Sequence, residues 1–143
     1  MRNHYETEQD LNNEKYIAKV FESEWNCKFI KLNPTKYIVD YLIDYGDKYS
    51  WAEVKCANIY FGQYIFMISY KKIEAAKLLS ETSGCDFLLI FKCKDAIAYH
   101  KWDFNKQYKF EYSGRTMTTR DDMDIEPVFR INPDDCKIIK HIF

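Results

Sequence analysis

An α+β (α/β) domain built on a mixed β-sheet is the fold class this 143-residue sequence predicts, and three observations predict it. A helical stripe is followed by three β-rich stretches, a second helix and one intensely apolar run, so helices and strands alternate as they do around a sheet. Aromatic residues reach 17%, with 12 Tyr and 10 Phe, and such side chains favour strands. Gly (4) and Pro (3) are scarce, which leaves little of the chain for irregular turns. At this length one domain over residues 1–143 is expected, with a core over about 8–95 and a β extension over about 96–143.

The elements follow in order. From about Thr7 to Trp25, residues Leu11, Tyr16, Ile17, Val20, Phe21 and Trp25 recur near helical period on an otherwise charged stretch, and Asn26 is a stop. Lys28–Leu32 reads as a short strand closed by Asn33-Pro34. Lys36–Tyr45 and Ser50–Ala57 are rich in β-formers, with Gly46-Asp47 as a tight hairpin turn between them. Tyr60–Ile68 fits either a strand or an ordered loop. Ser69 is an N-cap for a helix from Tyr70 to about Thr82, ended by Gly84. Phe87–Cys93 is the most apolar run and reads as a central strand covered on both faces. Ala96–Trp102, Tyr108–Tyr112 and Pro127–Ile131 extend the β structure, within a charged, irregular last thirty residues.

Composition excludes several classes of function. Lys+Arg (21) nearly balance Asp+Glu (22), so there is no overall basic coat, although a local basic face remains open. Five cysteines form no CxxC pair and read as idle or buried thiols, Cys56 among the buried ones, so a zinc cage is not expected. His4, His100 and His141 lack ligand spacing. No apolar run is long enough to cross a bilayer, and the expected setting is soluble and cytoplasmic, with no membrane partner.

The hairpin carries the chemistry. With the turn centred between Gly46 and Asp47, facing residues have numbers summing to 93, so Asp40 stands opposite Glu53, Ile38 opposite Lys55 and Leu42 opposite Trp51. Alternation then places Asp40, Glu53 and Lys55 on one face, and Val39, Tyr41, Ile43, Ala52 and Val54 on a core face against a helix. A slip of one residue would scatter the first set. Two carboxylates side by side at a sheet edge favour a cation between them, Mg²⁺ by its oxygen preference, and a lysine beside them can reach a phosphate oxygen.

Asp40, a hairpin, then Glu53-Val54-Lys55 in an apolar strand, with helix and strand before and after, resembles the PD-(D/E)XK nuclease superfamily. These restriction-endonuclease-like enzymes include Holliday-junction resolvases and many phage nucleases. The resemblance covers about residues 13–93 in the order αβββαβ. It implies a deoxyribonuclease dependent on Mg²⁺ or Mn²⁺, acting on DNA, with a homodimer as the simplest way to cut both strands. It implies Asp40 and Glu53 as metal ligands together with the Val54 carbonyl, Lys55 on the attacking water and the phosphate, and Glu14 as a helical ligand. Lys71 and Lys72, with Lys77, would meet neighbouring phosphates, and Arg115 and Arg120 would do so from the extension. Val39 replaces the motif proline, and a Gln-x-x-x-Tyr element is not cleanly formed by Gln63 and Tyr70.

Each feature also has a plain reading. The three charged residues could form a solvated strand face with cross-strand ion pairs. Glu14 could merely complement a helix dipole, and Lys71-Lys72 could be a solvated helix face. The alternative function is a catalytically inactive nucleic-acid- or protein-binding module, an inhibitor or adaptor, on the same fold.

Overall fold

A computed structural model of the chain describes residues 8–32, 39–113 and 126–142. Its centre is the apolar run, which forms β5 (Asp86–Lys92) with every residue from Phe87 to Phe91 buried. Being covered on both faces, it needs no alternation of polar residues. Around it lies a six-stranded sheet in the order β1-β2-β3-β5-β6-β9, composed of β1 (Lys28–Lys31), β2 (Tyr41–Asp44), β3 (Tyr49–Cys56), β5, β6 (Ala96–Lys101) and β9 (Lys137–His141). The β3–β5 pair is parallel and its other neighbours pair antiparallel, so the sheet is mixed. A second, three-stranded sheet has the order β4-β8-β7, from β4 (Phe66–Ser69), β8 (Glu126–Ile131) and β7 (Lys109–Ser113).

Two helices cover the central sheet. On one face α1 (Glu8–Trp25) inserts Ile17, Val20 and Phe21 against Tyr41, Ile43, Ala52, Leu88, Ile90 and Ile97. Its stripe is narrower than the periodicity implied, because Leu11 and Tyr16 stay more than a third exposed, outside the buried core. The other face receives α2 (Tyr70–Ser83) through Ile73 and Ala76, and the second sheet through Phe66, Ile68 and Ile131, against Phe87, Leu89 and Phe91. Phe66 stacks on Phe91 with centroids 3.9 Å apart, as part of the core. No described helix is long and apolar enough to cross a membrane.

Several expectations need correction. Tyr60–Ile68, which fitted either strand or loop, holds both: a turn with the Gln63 N–H on the Tyr60 carbonyl, then the strand Phe66–Ser69. Ser69 occupies the N-cap of α2, but its hydroxyl makes no capping bond. Gly84 does end the helix, left-handed at φ 74° with its N–H on the Ser80 carbonyl, a conformation that favours glycine. Cys56 is exposed rather than core, because it is the last residue of β3, where cover runs out. The tail is less irregular than its charge implied: Pro133–Asp135 form a 3-10 turn, and β9 completes the sheet against β6 across a bulge at Ile97/Ala98. His100 is buried, with Nδ1 2.9 Å from the Asp135 carbonyl and Nε2 2.8 Å from the Tyr108 hydroxyl, a structural role.

Candidate active site

From Tyr41 to Asp44 the register is the one the turn arithmetic required, but the expected ladder pair of Asp40 with Glu53 does not form. Tyr41 pairs with Ala52, Leu42 with Trp51, Ile43 with Ser50 and Asp44 with Tyr49. Gly46 has φ 96°, its N–H is held by Asp44 Oδ1 at 2.8 Å, and the Tyr45 N–H reaches the Lys48 carbonyl at 2.9 Å, closing the turn around Gly46-Asp47. The expected pair Ile38 with Lys55 lies outside the described residues.

Ladder pairing stops at Tyr41, and Val39 and Asp40 form a bend. There the Asp40 N–H meets the Ala52 carbonyl at 3.0 Å, one residue off the ladder, while Asp40 Oδ2 accepts the Val54 N–H at 2.8 Å. The carboxylate thus takes up a strand donor that the bend would leave unmatched. The bend also breaks alternation. Val39 is buried in the cluster under α2, not on the α1 face with Tyr41 where strict alternation placed it.

Glu53 faces the same side, paired in register with Leu89 of that cluster. Only 6% of the residue is exposed, so Glu53 itself is not part of a solvated strand face. The sheet edge is therefore not open: both faces are packed, and the carboxylate sits beneath α2. Glu53 Oε2 accepts a hydrogen bond from Lys72 Nζ, in the first turn of α2. Its other oxygen, Oε1, is buried with no hydrogen-bond partner among the described residues. Burial first, and then the charge of Asp40, push its pKa up to about 7, against the pull of Lys72 and Lys55. Lys55 donates to the Met67 carbonyl of β4 at 3.1 Å. Desolvation lowers its pKa, ahead of the opposing attraction of Glu53 and the reinforcing repulsion of Lys72.

The structure therefore brings Asp40, Glu53, Lys55 and Lys72 together. Glu14 pairs with Lys31 of β1 at 2.7 Å, on the helix that covers the other face. Among the described residues no group of three or more His, Cys, Asp and Glu side chains gathers as it would around a metal ion. Two carboxylates that repel each other, one with an unmatched buried oxygen, nevertheless suit a divalent cation with oxygen ligands. Val54 is fixed in this group by its N–H. Lys71 and Lys77 are exposed, whereas Lys72 is engaged by Glu53 and not simply turned to solvent. Arg115 and Arg120 lie outside the described residues. Gln63 accepts the Tyr60 N–H, and Tyr70 packs on Phe110 and Phe129, so both have structural roles.

Sequence reasoning missed the bond from Lys72 to Glu53 and the Met67 anchor of Lys55. The first had a signal: Lys72 and Ala76 are four apart beside Ile73, so Lys72 flanks the buried stripe of α2.

Comparison with known proteins agrees with this architecture. A crystal structure of Hjc, a Holliday junction resolvase from the archaeal hyperthermophile Archaeoglobus fulgidus, superposes with a TM-score of 0.52 at 14% identity, covering 80% of this chain and 85% of that one. At that identity the likeness speaks for the fold, a restriction-endonuclease-like one. No curated protein sequence matches significantly. The model of one family, described as "Phage putative PDDEXK endonuclease", matches residues 1–138. The chain belongs to this phage PDDEXK endonuclease family.

Proposed function

We propose that the protein is a divalent-metal-dependent DNA endonuclease whose site is Asp40, Glu53 and Lys55. The observation that carries this reading is Glu53: a carboxylate buried beside a second carboxylate, with one oxygen unmatched and two lysines around it. A fold stabilised for its own sake gains nothing from such a group, since replacing it by an apolar side chain would remove a desolvation cost.

Asp40 and Glu53 would hold Mg²⁺ or Mn²⁺, with the Val54 carbonyl beside them, and Glu14 would join only by leaving Lys31. When bound, such an ion lowers the pKa of water and offsets charge on a phosphate. Lys55 contributes a fixed positive charge where negative charge develops on the phosphate, and its tether to β4 keeps the ammonium in place. Asp40 fixes the strand that carries Glu53 and Lys55 through its bond to Val54. Lys71 and Lys77, exposed on α2, together with Arg115 and Arg120, would meet the flanking DNA backbone, giving salt-sensitive binding. A chain of this size cutting both strands would act as a symmetric homodimer.

The test is incubation of the protein with labelled duplex, single-stranded, flap and four-way-junction DNA in Mg²⁺, Mn²⁺ or EDTA, beside a Lys55→Ala variant of unchanged circular dichroism. Divalent-dependent cutting by the wild type alone is expected. Absence of cutting on every substrate, with no metal-induced rise in melting temperature, would overturn the reading in favour of a non-catalytic module.

A further inference from the structure

Lys72 has a geometry that contact with DNA alone does not explain. Its side chain is 42% exposed, yet its ammonium is bonded to a carboxylate whose side chain is only 8% exposed. The stem is anchored at its base, because the neighbouring Ile73 and Ala76 lock the first turns of α2 into the core. The head lies at the boundary with solvent, where a long side chain can extend outward. A buried ionised carboxylate requires a compensating charge. Lys55 does not supply it by direct bonding, its ammonium being on the Met67 carbonyl. Lys72 does, through one oxygen, and leaves the other unmatched.

We propose that Lys72 is an internal counter-ion that keeps Glu53 in place in the metal-free protein and is displaced from it when the divalent cation binds. This rests on the reading of Asp40 and Glu53 as metal ligands. An ammonium and a divalent cation on the same carboxylate repel each other strongly at contact distance. Only the ammonium has a flexible stem on which to move away. Once released, its positive charge would favour an anion such as a substrate phosphate. Lys72 is thus a positioning residue for Glu53 before the metal arrives, and a competitor that sets how tightly the metal binds.

Calorimetric titration with Mn²⁺ alone, without DNA, tests this on the wild type, Lys72→Met and Asp40→Asn. Removing the competitor should let Lys72→Met bind Mn²⁺ roughly tenfold more tightly than the wild type. Asp40→Asn should lose the binding. A second measurement needs only the wild-type chain and so stands even if Lys72→Met fails to fold. Under limiting acylation by an amine-reactive ester, the labelling of Lys72 relative to its exposed neighbour Lys71 should rise several-fold when Mn²⁺ is added. Asp40-dependent Mn²⁺ binding in the wild type, with Lys72→Met no tighter and the labelling ratio unchanged, would overturn the counter-ion role and leave the metal site standing. Mn²⁺ binding to none of the proteins would overturn both.

Discussion

Glu53 is a titratable group held where water barely reaches it, and its thermodynamic signature should be measurable in the metal-free protein. Its pKa rises from an ordinary 4.5 to about 7 on folding, with burial as the main cause. Folding therefore takes up a proton between those values, so the group's contribution to stability falls as pH rises from 4.5 and reaches its full penalty above 7. In EDTA, Glu53→Gln should gain over the wild type at pH 8 by up to about 3 kcal/mol and gain much less at pH 5. Denaturant melts at the two pH values decide it, and an equal difference at both would contradict the assignment. Lys55 should behave in the opposite way. Its bond to the Met67 carbonyl is worth about 1 kcal/mol. Lys55→Ala should therefore melt close to the wild type while cleavage falls by roughly 10²–10³-fold, read in the same preparation. These residues were legible because a two-residue turn leaves one register, and the register decides the face. How deep Glu53 lies was not legible, since burial beneath α2 depends on the angle at which the helix crosses the sheet.

At the scale of elements, the point of interest is the end of β2. Ladder pairing there gives way to a bend, and the Asp40 carboxylate substitutes for a backbone acceptor by taking the Val54 N–H at 2.8 Å. Asp40 therefore has a structural duty that charge alone does not measure. Asp40→Asn can keep the bond through its amide oxygen, whereas Asp40→Ala leaves the Val54 donor unmatched, at a cost of about 1–3 kcal/mol. Thermal melts should place the asparagine variant near the wild type and the alanine variant clearly below it, with both losing divalent-dependent cleavage. Equal melting of the two would show that the hydrogen bond does not carry the bend. The same bend explains why strict alternation misplaced Val39: a period of two holds only while the strand stays on its ladder. The apolar run of β5 and the Gly84 stop of α2 were legible because each rests on one local property. The strand β9 was not, because K-I-I-K-H has little pattern of its own and its partner β6 lies 40 residues back.

At the scale of the whole molecule, the C-terminal third helps to support the proposed site. Lys55 is tethered to Met67 of β4, and β4 is held in its sheet by β8, where Met67 pairs with Arg130. Beyond β8, the 3-10 turn buries Pro133, and Trp102, buried in the core under α2, stacks on Tyr108 at 3.8 Å. Tyr108 is itself fixed twice, by the ring of His100 and by the Asp103 N–H at 3.0 Å. The other nitrogen of His100 meets the Asp135 carbonyl, so this buried ring joins β6 to the turn that leads into β9. A chain ending at Ile131 keeps β8 and every residue of the proposed site. It loses the Asp135 partner of His100, the buried Pro133 and the strand that pairs with β6. The melting temperature should fall by about 10 °C or more, since a loss of 1 kcal/mol costs a few degrees in a domain of this size. Cleavage by what remains folded at low temperature should survive, because the tether through β4 and β8 is intact. A truncated chain that melts like the full one would mean that β9 merely decorates the sheet edge. One that stays folded but no longer cuts would place catalytic machinery in residues 132–143.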